Sequence, residues 1–131
     1  MEEDISLKKQ MEAKKDEMDI RENIIALQKY EKMLSSIMYT KERIIMDLKG
    51  INVAMEQLKK KPKEVYRFYG PILLKKTCDE VEKEFEEEKE GMLLKQKQII
   101  KQEDSLKKMY NELRQKVIEQ QKEIKEKYTG K

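Results

Sequence analysis

The sequence predicts a mainly α chain, a long antiparallel coiled-coil helical hairpin with a small central β-hairpin, as one prefix-to-suffix domain over residues 1–131. Three observations carry this. Apolar residues recur at alternating steps of three and four before the midpoint, which is the period of a coiled-coil seam, and a second apolar seam follows it. A short run of β-preferring residues interrupts them at the centre. Charged side chains make up 44% of the chain, too many for an ordinary globular core.

The first helix is expected over about 4–60. Its seam reads Leu27, Tyr30, Leu34, Ile37, Lys41, Ile44, Leu48, Ile51, Met55, Leu58, with Lys41 the one polar breach. A lysine there snorkels its ammonium out of the seam. Ile20 and Ile24 stay near phase, but Ile5, Leu7, Met11 and Met18 are spaced irregularly, so the helix is loosely specified at its N-terminal end. Lys59-Lys60-Lys61-Pro62-Lys63 ends it: lysines complement the carbonyl end of the dipole, and Pro cannot continue the hydrogen-bond ladder. The same run has the form of a short nuclear-import signal, although helix termination already accounts for every residue in it.

The β-hairpin is expected over about 64–76, in Val65-Tyr66-Arg67-Phe68-Tyr69-Gly70-Pro71-Ile72-Leu73-Leu74-Lys75. Gly70 supplies a permissive backbone and Pro71 fixes φ, so two strands meet in a tight turn. Val65 and Tyr69 fall on one face, Tyr66 and Phe68 on the other. An isolated hairpin is marginal in water, so this one needs the helices or copies from other chains to complete it.

The second helix is expected over about 78–127, opened by the capping box Thr77-Cys78-Asp79-Glu80 and by carboxylates at Asp79, Glu80, Glu82 and Glu84, which favour the positive end of the dipole. Glu86-Glu87-Glu88 reads as a solvated or partner-facing surface rather than a metal site, since the chain has no His. Val81, Phe85, Met92, Ile99, Leu106, Met109 and Leu113 mark its seam, which drifts at Val117 and Ile124. Gly91 is a weak point, costing about 1 kcal/mol relative to Ala in a helix interior. Folding the chain about the hairpin sets Met55 near Val81, Ile51 near Phe85, Ile44 near Met92, Met38 near Ile99, Tyr30 near Leu106 and Ile20 near Val117. With ~50 residues paired, the expected rod is on the order of 75 Å long.

The chemistry of an enzyme is missing. There is no histidine, no Gly-rich phosphate loop, no zinc spacing and no apolar pocket to shift a carboxylate or lysine, so catalytic residues, metal and cofactors are all read as none. Thirty basic and 27 acidic residues leave a net charge of +3 that is interspersed rather than pooled, which argues against nucleic acid. A single cysteine, Cys78, suits a reducing compartment. No apolar run reaches the ~20 residues of a membrane span, and the acidic start Met1-Glu2-Glu3-Asp4 is unlike a signal peptide. The expected location is cytoplasmic.

Helix, then Val65-Tyr66-Arg67-Phe68-Tyr69-Gly70-Pro71-Ile72-Leu73-Leu74-Lys75, then helix, resembles the β-class subunits of prefoldin over about residues 20 to 125. Gly70-Pro71 looks most like the eukaryotic subunit 6 type, while Tyr66-Arg67 and the Thr77-to-Val81 stretch look as much like subunit 2 or the archaeal β chain. The N-terminal arm is longer than the usual β-class start. The resemblance implies a hexamer of two α-class and four β-class chains, a holdase co-chaperone whose hairpins join into β-barrels. Its coiled-coil tips hold non-native proteins, of the actin and tubulin class if the source is eukaryotic, and deliver them to a group II chaperonin without nucleotide. On that footing Val65, Tyr66, Phe68, Tyr69, Gly70, Pro71, Ile72, Leu73 and Leu74 form the assembly hairpin. Leu7, Met11, Met18, Val117, Ile118, Ile124 and Tyr128 are the expected client contacts, because their seam is too irregular to be consumed by helix pairing. Lys8, Lys9, Lys14, Lys15, Lys122, Lys125 and Lys127 are the expected basic cluster for chaperonin docking. The competing reading is a structural or tethering coiled coil whose hairpin is only a connector.

Overall fold

The computed structural model describes residues 2–129. Helix α1 runs Glu2–Lys59, strands β1 and β2 cover Val65–Tyr69 and Ile72–Lys76, and helix α2 runs Cys78–Thr129. The chain divides into two compact units, Ile37–Gln102 and the described residues of Met1–Ser36 with Glu103–Lys131.

In the unit Ile37–Gln102 the seam follows its apolar heptad. Ile44, Ile51, Leu58 and Val81 are buried, and Lys41, at the expected breach, is half-buried. Met38 is exposed, and Ile44 lines a groove with both Met92 and Ile99.

The end of α1 is closed by the amides of Lys60 and Lys61, which donate to the carbonyls of Gln57 and Leu58 at 3.2 and 3.0 Å. Lys61 takes a left-handed φ of 49°, the conformation that stops a helix and lets the chain turn into Pro62. The Cys78 thiol donates to the same Leu58 carbonyl at 3.3 Å, a second donor that ties the start of α2 to the end of α1. At the start of α2 the Glu80 amide donates to Thr77 Oγ1 and the Val81 amide to the Thr77 carbonyl, each at 3.2 Å. This is the hydroxyl half of the expected capping box.

The other unit corrects the expectation of a drifting seam. On α1 the inward residues continue in unbroken heptad steps as Ala13, Asp16, Ile20, Asn23, Leu27, Tyr30 and Leu34. On α2 they continue as Glu103, Leu106, Tyr110, Leu113, Val117, Gln120 and Ile124, so Tyr110 holds the position expected of Met109, which is exposed. The period persists; only its residues turn polar.

Asn23 and Gln120 pair with each other across the seam, while Tyr110 and Asp16 pair with residues beside it on the opposite helix. Asn23 Nδ2 donates to Gln120 Oε1 at 2.8 Å, Tyr110 to Glu31 at 3.0 Å and Tyr128 to Asp16 at 2.9 Å. The partners lie four to seven residues further along α2 than expected. Ile20 shares a groove with Gln120 and Ile124, and Tyr30 one with Met109 and Leu113. A shift of one heptad keeps every seam position in phase, so periodicity does not distinguish the two registers.

Candidate functional site

The central strands pair antiparallel with Val65 opposite Lys76, Tyr66 opposite Lys75, Arg67 opposite Leu74, Phe68 opposite Leu73 and Tyr69 opposite Ile72. Gly70, at φ 60°, and Pro71 form the two-residue turn. A positive φ followed by the fixed negative φ of proline is the sequence of a type II′ turn, whose twist matches that of the strands it joins.

Alternation then separates two faces. Val65, Arg67 and Tyr69 are half-buried, whereas Tyr66 and Phe68 point outward, Phe68 with 70% of its surface exposed. On β2, Ile72, Leu73 and Leu74 are all exposed. Five large apolar side chains on a ten-residue sheet thus remain in solvent.

The inward face is held on α2 by charge rather than by apolar packing. Arg67 donates to Glu84 at 2.5 Å and to Glu88, and its guanidinium lies 4.4 Å from the centroid of the Phe85 ring. Tyr69 donates to Glu84 at 2.7 Å, and Lys76 pairs with the same carboxylate while sitting 4.8 Å from the Tyr69 centroid. One glutamate therefore fastens both strands to the helix. Sequence reading missed this cluster, having assigned Glu84 to the helix dipole. The signal was Arg67 among β-preferring residues on the inward parity of β1, with α2 offering carboxylates at Glu84 and Glu88, four residues and so about one turn apart.

The hydrogen bond from Lys76, with those from Tyr69 and Arg67, lowers the Glu84 carboxyl from 4.5 to about 2. A carboxylate depressed in the folded state contributes stability that is present above its unfolded value and lost as pH falls through the folded one. Hairpin docking should accordingly hold at neutral pH and weaken between about pH 4.5 and pH 2. Glu84→Gln should flatten that window, read as amide exchange of β1 and β2 against pH; an unchanged profile would assign the acid sensitivity to other carboxylates.

The expected client contacts divide. Leu7, Met11, Met18 and Ile118 are exposed, as is the rim of Tyr128, whose hydroxyl is engaged by Asp16. Val117, with 6% exposure, belongs to the seam and is removed from the set. Ile124 is half-buried and lines a groove with Ile20, Ile24 and Ile25. Met11, Met18 and Ile25 follow one another at seven-residue intervals on the outward side of α1, an order within what was read as irregular spacing. Lys8, Lys9, Lys14, Lys15, Lys122 and Lys125 are exposed, whereas Lys127 is held by Glu12 at 3.0 Å and Asp16 at 3.8 Å. Among the described residues no group of His, Cys, Asp and Glu could hold a metal ion, and no helix is long and apolar enough to cross a membrane.

Two long heptad helices joined by a charge-docked, outwardly apolar β-hairpin define a class of coiled-coil subunit. The prefoldin subunit family model matches residues 21–124. The chain belongs to the prefoldin family, in its β class, a family of chaperone subunits and not of enzymes. It is 30% identical over 100 residues to prefoldin subunit beta of Caldivirga maquilingensis, covering 75% of this chain and 83% of that one. With the prefoldin subunit beta of Sulfolobus acidocaldarius the identity is 26% over 103 residues, 77% of this chain and 82% of the relative. The crystal structure of the prefoldin beta subunit from Thermococcus strain KS-1 shares the fold with a TM-score of 0.67 at 21% identity, over 76% of this chain and 89% of that one. These relatives support the β class and leave the subunit 6 likeness unsupported.

Proposed function

We propose that the chain is one β-class subunit of a hexameric prefoldin holdase, which binds non-native proteins through the outward apolar residues near its chain ends and passes them to a group II chaperonin without nucleotide. The observation that carries this is the exposed apolar surface of the hairpin, which it presents on both of its faces. Tyr66, Phe68, Ile72, Leu73 and Leu74 stand exposed on a sheet of two strands, which leaves both its outer edges unpaired. Exposed apolar edges of this kind are completed by further strands, and the neighbouring subunits' hairpins supply them. Leu7, Met11, Met18 and Ile118 then remain free for clients, methionine being suited to partners of no fixed shape. The exposed lysines Lys8, Lys9, Lys14, Lys15, Lys122 and Lys125 supply a salt-dependent contact to the chaperonin.

Reconstitution with an α-class prefoldin subunit tests the reading. Native mass spectrometry should give a hexamer, and that hexamer should suppress aggregation of guanidine-unfolded citrate synthase without ATP. Its binding to a group II chaperonin should weaken when Lys8, Lys9, Lys122 and Lys125 are changed to Glu, at low salt and not at 1 M salt, where the Debye length is ~3 Å. A chain that stays alone with every α-class partner would return it to a structural coiled coil.

A further inference from the structure

Seam pairing accounts for one side of α1 in the unit Ile37–Gln102, but the opposite side is also apolar. Tyr39, Met46 and Val53 recur every seven residues, with 67, 71 and 59% of their surfaces exposed. Each lies two residues after a seam position, Ile37, Ile44 or Ile51, and two before the next, Lys41, Leu48 or Met55. At 100° per residue that places them ~160–200° from the seam, on the solvent side, where a two-stranded coil ordinarily carries charge. Met38 and Ile45, also exposed, lie beyond Glu42 and Lys49, between the row and the seam. Neither the seam nor the hairpin uses these side chains.

We infer that this row on the back of α1 is a second client-binding surface, which takes an extended apolar segment of a non-native polypeptide. The inference rests on the holdase reading given above. A second copy of α1 is a poor occupant, because a helical seam needs two apolar positions per heptad and the residues three and four beyond Tyr39 and Met46 are Glu42, Arg43, Lys49 and Gly50. Three side chains in a row offer on the order of 300 Å², at the lower end of the largest patch on many monomers. That is below the ~800 Å² per partner of a stable interface. An apolar client segment fits better: it needs no fixed register, and the row is rimmed by both signs of charge at Glu42, Arg43, Asp47 and Lys49, so it does not select by charge. Met46 adds an unbranched side chain that adapts to varied contacts.

The test uses the reconstituted hexamer with guanidine-unfolded citrate synthase as the client. Benzoylphenylalanine placed at Met46 should photocrosslink to the client, and the same group at Lys49 should do so far less. The triple change Tyr39→Gln, Met46→Gln and Val53→Gln should leave hexamer mass and helix content unchanged while raising roughly tenfold the hexamer concentration that halves aggregation. Crosslinks from Met46 to a neighbouring subunit, or none to the client while a probe at Met18 crosslinks to it, would overturn the inference and leave the holdase reading standing. A hexamer without aggregation suppression, and with no client crosslink at either probe, would overturn both.

Discussion

Changing Phe68 and Ile72 together to Asp should release the chain from its hexamer while leaving its helix content intact. Both side chains are exposed on the hairpin of the single chain, so neither replacement disturbs the buried residues Ile44, Ile51, Leu58 and Val81. In the assembly their surroundings change. A carboxylate enclosed by apolar strands without a partner costs several kcal/mol, and each 1.4 kcal/mol is about tenfold in an association constant. Two such groups per subunit should shift the sizing-column profile wholly to small species at micromolar concentration, with circular dichroism unchanged. A hexamer that survives the double change would make the hairpin a connector and remove the main support for the assembly reading.

Replacing Leu7, Met11, Met18 and Ile118 with Gln should have the opposite signature, an intact hexamer that no longer protects its clients. These four side chains are exposed and lie outside the seam, so their polarity matters little to the fold. Full burial of a Leu, Ile or Met side chain against a ligand contributes about 1.5–3 kcal/mol. Even partial burial of four should therefore make a difference of at least about tenfold in the hexamer concentration that halves aggregation. Val117→Gln is the informative contrast. That residue is buried in the seam, so its change should lower the melting temperature and fray the helix ends while leaving client contacts in place. Undiminished protection by the fourfold variant would move client capture onto the partner subunits.

Much of this was legible in one dimension, and particular residues show where legibility stopped. Leu27 to Leu58 carries a 3–4 apolar alternation and Phe85, Met92, Ile99, Leu106 and Leu113 a seven-residue repeat, both explained by a coiled-coil seam, and Gly70-Pro71 between β-preferring runs has one simple reading as a turn. Thr77 and the Lys59–Lys63 run marked helix boundaries because capping chemistry is local. Asp16, Asn23, Glu103 and Gln120 were invisible as seam residues, since hydrophobic patterning searches for apolar side chains and these positions are filled by polar ones that pair across the helices or with a neighbour one turn on. Tyr39, Met46 and Val53 were equally hidden, for apolar residues outside the dominant period read as noise until the seam's orientation is known.

The sequence by itself determined the elements, their order, the apolar alternation and the family likeness, because these follow from propensity, period and local turn chemistry. Only the tertiary structure decided which helical register was used, since registers one heptad apart place the same kinds of residue in the seam. It also decided that Glu84 is the common partner of Arg67, Tyr69 and Lys76, that Val117 faces inward and that Phe68 faces out. These are pairings between residues distant along the chain, and their free energies depend on separation and burial in space, which a one-dimensional pattern does not contain.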